Sequence, residues 1–141
     1  MKEENRNLQT VVQENYRSIL RQAVAVIEDA RTSIAKHVNG CVSSAYWQIG
    51  KLLYERKIES GYGDSVFKQL SVDLKQRFTK MGVSTRQLWN MRNFYLRYKD
   101  SNEKVLRSVA LLPWSHNVYL LSKNLDDAAV LYYAQETIAK G

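Results

Sequence analysis

Apolar residues recur at helical spacing along most of this chain. Leu8, Val12, Tyr16, Ile19, Ala23, Val26, Ile27, Ala30, Ile34 and Val38 fall three or four positions apart, with Val26 and Ile27 adjacent. That spacing predicts a long helix over 8–38, with one apolar stripe and an opposite face of mixed charge. Asn39-Gly40 either ends this helix or kinks it. A second helix over roughly 42–58 carries Tyr46, Trp47, Ile49, Leu52, Leu53 and Ile58. Residues 65–79 make a third, with Val66, Phe67, Leu70, Leu74 and Phe78 on one side, and 84–98 a fourth. Residues 104–112 fit a short helix or a strand equally well; the strand would add a small wing. Pro113 opens a helix through "WSHNVYLLSK". Asn124, with Asp126 and Asp127, reads as the N-cap and acidic first turn of a last helix to about 139. The fold class is all-α: a single helical domain over 1–141, with a helix-turn-helix core at 65–98 and C-terminal helices over 114–139.

Two breaks in the pattern resemble functional loops. "GYGDS" at 61–65 places glycines near a helix start. The Lys-Ser/Thr of a phosphate loop is missing, however, and Asp64 would repel an anion. Gly61 as a helix terminator, with Asp64 or Ser65 as the next N-cap, accounts for the stretch. "GVS" at 82–84 is different. Gly82 suits the closing position of one helix, Val83 a buried wedge, and Ser84 with Gln87 a capping box for the next. The expectation is helix, tight turn, helix.

On a wheel of 84–98, Leu88, Met91, Tyr95 and Tyr98 form the buried arc, with Arg86, Asn90, Asn93 and Arg97 opposite. Solvated helix faces ordinarily interleave Glu with Lys, yet no acidic residue occurs from Gly82 through Lys99. Arg and Asn are the side chains that make bidentate contacts to guanine and adenine edges in the major groove. Thr85, Trp89 and Arg92 flank the row, and Lys80 and Arg77 stand nearby for phosphates. Trp89 suits either stacking on a base or packing on a neighbouring helix.

The charge distribution sharpens this picture. Net charge is +7. Residues 1–60 hold nine basic against seven acidic residues, 61–107 ten against four, and 108–141 two against three, so the excess lies in the segment around 84–98. A local basic excess favours a polyanion partner. Single-domain length, one cysteine and the absence of an export-type or membrane-spanning apolar run suit a cytoplasmic protein with no membrane partner.

"AYWQIGKLLYE", "GYGDSVFKQLSVDLKQRF", "GVSTRQLWNMRNFY" and "LPWSH", in this order, resemble the N-terminal domain of the YhcG-type PD-(D/E)XK nuclease family. The resemblance covers roughly residues 15–139. It implies bacterial origin, a helix-turn-helix-like domain of undefined role, and a nuclease domain beyond Gly141. Catalysis is not carried over. Glu55-Arg56-Lys57 and Asp73-Leu74-Lys75 match nuclease strings, but both sit in helical patterns instead of at strand ends. His37 suits a helix C-terminus, Ser115 and His116 a capping or hydrogen-bonding role, and Cys41 a small core position. No zinc spacing, cofactor motif or catalytic constellation is present. The expected function is DNA binding that positions a nuclease. The alternative is an oligomerisation or protein-interaction module, a homodimer included, that assembles the nuclease through the long N-terminal helix. A third is RNA or a protein partner for the basic face.

Overall fold

The computed structural model describes residues 2–56, 62–79 and 83–140. Among them there are six helices and no strand: α1 (Lys2–Glu55), α2 (Tyr62–Arg77), α3 (Thr85–Tyr98), α4 (Glu103–Ala110), α5 (Trp114–Lys123) and α6 (Asp127–Lys140). The all-α reading holds, and the chain divides into two compact units, Met1–Ala35 and Lys36–Gly141.

In the first unit the side chains of 7–35 are exposed, with Ser18 alone half-buried. The apolar stripe is present on a continuous helix and nothing within the unit covers it. In proteins most helical stability comes from packing of an amphipathic face, and here that face is exposed.

The second unit has two adjoining apolar clusters. Leu53, Phe67, Leu88 and Met91 form one, with Tyr46, Ile49, Leu70, Leu74 and Trp89 against it. The other is Phe94, Tyr98, Val105, Val109, Leu112, Leu120, Val130 and Ala134. Trp114 packs against both. At one crossing α1 meets α3 with no side chain between them. A Cβ on Gly50 would fall on the Met91 carbonyl oxygen, 2.7 Å from its carbon and 3.1 Å from the Tyr95 Cβ.

Several local expectations change. Of the two readings of 104–112, helix or strand, the helix is found, as α4 over Glu103–Ala110: the Asn102 side chain accepts the Val105 amide at 3.0 Å, starting a helix that buries Val105 and Val109 at i, i+4. Asn39-Gly40 does not end the helix, since α1 runs through it to Glu55, and Asn39 Nδ2 donates to the Leu111 carbonyl at 3.1 Å. With α1 running on to Glu55, His37 has no helix C-terminus beside it; its Nε2 lies 3.7 Å from Sγ of Cys41, which is exposed, not core. Asn124 is the left-handed residue closing α5 (φ 50°, ψ 46°), and Asp126 caps α6 by accepting the Ala129 amide at 2.8 Å. α2 begins at Tyr62, so Asp64 and Ser65 lie inside the helix. The Ile58 and Gly61 assignments lie outside the described residues.

Burial of Tyr98 sets a pH dependence. Burial pushes its phenol above the ordinary value near 10, Arg97 pulls it back down, and Asp127 adds to the rise. The folded state thus keeps this proton to higher pH than the unfolded chain. Its contribution is complete below about pH 10 and lost as pH climbs through the folded value. Denaturant titrations between about pH 9 and 11 should show a shallower loss of stability for Tyr98→Phe than for the parent.

Candidate nucleic-acid interface

α3 starts where the serine predicts. Ser84 is extended (φ −63°, ψ 160°), and its hydroxyl accepts the Gln87 amide at 3.2 Å. Gln87, expected to close a capping box, instead turns its Oε1 to the Trp114 indole N–H at 2.9 Å and the Asn90 amide at 3.4 Å. Val83 is buried, as the turn requires. The connection from Phe78 through Ser84 is longer than the roughly three or four residues of a helix-turn-helix. The assignments to Lys80 and Gly82 within it lie outside the described residues.

The inner side of α3 anchors it. Leu88, Met91, Phe94 and Tyr98 are buried, and Tyr95 packs edge-on to Trp47 at 4.8 Å and tilted to Tyr54 at 5.7 Å. Phe94 was missing from the expected arc. Its ring meets Trp47 at 5.8 Å, Tyr98 at 5.4 Å and Trp114 at 5.3 Å.

The outer side is turned from the expected row by roughly 45° at 100° per residue. Arg86, Asn93 and Leu96 are its exposed residues, while Thr85 and Asn90 are half-buried. Arg97 does not reach into solvent with them. Its Nη1 pairs with Asp127 Oδ1 at 2.7 Å, Nη2 donates to the Leu125 carbonyl at 2.9 Å, and the guanidinium lies 4.7 Å over the Tyr98 ring. Asp127 opens α6 and supplies the charge that draws Arg97 aside. Trp89 packs on Phe67 of α2, centroids 4.2 Å apart, so packing takes the ring. Arg92, expected at the flank, has partners of its own. It sits 5.9 and 5.7 Å over the Tyr54 and Trp89 rings, with Nη1 3.5 Å from Asn93 Oδ1. Arg77 is exposed in the last turn of α2. Lys99 is paired at 2.9 Å with Asp100, whose carboxylate raises the ammonium pKa.

Against known proteins, residues 22–141 match the family described as the DUF1016 N-terminal domain. The chain belongs to this family. A relative named "Putative nuclease YhcG" from Escherichia coli (strain K12) is 32% identical over 88 residues, covering 60% of this chain and 23% of the relative. The stretch of this DUF1016 N-terminal domain that aligns thus spans less than a quarter of that protein's length. No solved structure matches it significantly.

Elsewhere in this DUF1016 domain the candidate chemistry has structural explanations. Glu55 lies in the last turn of α1, 3.9 Å from Lys51, and Asp73 accepts from Gln69 within α2. Lys57 falls outside the described residues. His116 Nδ1 is 2.8 Å from the Tyr133 hydroxyl, a tertiary hydrogen bond between α5 and α6. Ser115 is exposed. Among the described residues no three His, Cys, Asp or Glu side chains cluster to hold a metal ion, and no helix is long and apolar enough to cross a membrane.

Proposed function

We propose that this domain binds nucleic acid, double-stranded DNA ahead of RNA, through the outer face of α3. In a longer protein of the kind the Escherichia coli relative represents, it holds a nuclease domain on its substrate. One observation carries the reading: Arg86, Asn90 and Asn93 share a face of a helix locked from behind by Leu88, Met91 and Phe94, in a segment without acids. A rigid helix presenting Arg and Asn at i, i+4 and i+7 is what major-groove readout uses. Arg77 is suited to phosphate contact, and Arg97 belongs to the domain's own packing.

Duplex binding measured by fluorescence anisotropy should weaken steeply between about 50 and 200 mM salt. The Arg86→Ala/Asn90→Ala/Asn93→Ala protein should lose about 1–3 kcal/mol for each base contact removed. Arg77→Ala should reduce the salt slope by about one. Arg97→Ala should lower stability by about 1 kcal/mol, the order expected for a half-exposed pair, without changing duplex affinity. Undetectable duplex binding at low salt, or binding indifferent to the triple replacement, refutes the proposal.

A second reading, homotypic assembly, is favoured by a separate observation. Ten large apolar side chains between Leu8 and Ile34 are exposed on α1, more than scattered surface apolar residues explain. The two readings are compatible, since many DNA-binding domains bind as dimers across two half-sites.

A further inference from the structure

We infer that the first unit pairs with a second copy of itself as an antiparallel two-helix coil centred on Ala23, a step that rests on the assembly reading above. The spacing of the stripe decides the geometry. Seven of its positions, Val12, Tyr16, Ile19, Ala23, Ile27, Ala30 and Ile34, step by four, three, four, four, three and four, so their order is the same read from either end, and exposed Val26 flanks them. The repeat is eleven residues, about 3.67 per turn, close to the 3.6 of a straight helix. On a straight α1 the seven positions therefore stay within an arc of about 80°.

An antiparallel partner centred at Ala23 sets Val12 against Ile34, Tyr16 against Ala30, Ile19 against Ile27, and Ala23 against itself. Each of the seven meets another of the seven, Val26 faces the exposed Leu20 at the flank, and the one bulky ring meets a methyl group. A parallel partner in register would stack Tyr16 on Tyr16 and Ala30 on Ala30, crowding one layer and leaving a void in another, and close packing penalises both. A two-fold antiparallel interface is also self-closing, so it stops at two copies.

Area and charge agree. Val12, Tyr16, Ile19, Ile27 and Ile34 are 57–65% exposed. At on the order of 100 Å² each, two copies remove on the order of 1,000 Å² of apolar surface, the threshold for a specific interface. Over 7–35, Arg17, Arg21 and Arg31 are balanced by Glu14, Glu28 and Asp29, so two copies do not repel. Of these six only Arg31 borders the stripe; the rest lie on the far side. The same neutrality disfavours an anionic lipid surface, which selects a Lys/Arg-rich polar face.

The test uses the full chain carrying Cys41→Ser. Sedimentation velocity from about 1 to 100 μM should show a dimer, and Ile19→Glu/Ile27→Glu should raise its dissociation constant by about 100-fold or more. Under oxidation Ala23→Cys should cross-link to itself, and Tyr16→Cys mixed with Ala30→Cys should cross-link as a pair. Ala30→Cys alone should not, because its two copies would stand about 21 Å apart along the coil, beyond disulfide reach. A monomer at every concentration overturns both this pairing and the assembly reading. A dimer indifferent to the Ile19/Ile27 change, or an Ala30→Cys protein that links to itself, overturns the pairing and leaves assembly standing.

Discussion

Gly50→Ala should destabilise the domain by about 2–3 kcal/mol or more, while Gly40→Ala on the same helix should stabilise it by about 0.5–1 kcal/mol. Alanine improves helix propensity at both positions, so propensity alone predicts a gain twice. The surroundings separate them. Nothing lies within 4 Å of a Cβ placed on Gly40, whereas one on Gly50 collides with the backbone carbonyl of Met91. A side chain could swing away; the middle of α3 cannot, because Leu88, Met91 and Phe94 are packed beneath it. The strain must be relieved by moving α1 from α3, which opens the Leu53, Phe67, Leu88 and Met91 cluster. Thermal unfolding followed by circular dichroism should place Gly50→Ala about 7–10 °C below the parent and Gly40→Ala slightly above it. Two shifts of the same sign would mean that α1 and α3 do not meet as closely as described.

What the chain discloses before folding depends on how local the cause is. The start of α3 was legible because its cap is local: the Ser84 hydroxyl reaches an amide three residues on. The anchored side was legible for the same reason, apart from Phe94, whose burial depends on Trp47 and Trp114 arriving from distant segments. Arg97 was misplaced because its partner Asp127 lies thirty residues away, and no helical wheel contains it. Asn39 misled in the same way, since its amide serves the Leu111 carbonyl and not a helix end. Over 104–112 the apolar spacing is too short to separate helix from strand, and the deciding signal, the Asn102 cap, stood just outside the ambiguous window. Tyrosines show the limit of periodicity most clearly. Of those described only Tyr98 is fully buried, while Tyr16, Tyr119 and Tyr132 are exposed despite lying in helical patterns. A stripe identifies the face that needs covering but not what covers it.

Trp114→Ala should cost about 3 kcal/mol, the low end of the range for truncating a large aromatic since the ring is only partly buried, and melt both apolar clusters together. The ring stands edge-on to Tyr46 at 4.7 Å and to Phe94 at 5.3 Å, joining a side chain of α1 to one of α3. Each such pair adds about 0.5–1.5 kcal/mol beyond buried area. Its indole N–H also holds the Gln87 carbonyl oxygen, to which Asn90 donates, so one residue of α5 steadies the outer face of α3 from behind. Trp114→Phe separates the two roles. It keeps most of the ring and removes the donor, for about 1–2 kcal/mol. The remaining indoles make the cooperativity measurable, because Trp47 packs against the Phe94 cluster and Trp89 against the Leu88 cluster. In a Trp114→Phe background, fluorescence from Trp47 alone and from Trp89 alone should report coincident unfolding transitions. Under Trp114→Ala both transitions should move to lower denaturant by the same amount. If only the Trp47 transition moves, the clusters are independent, and the support that α5 gives to α3 is not what keeps the candidate interface in place.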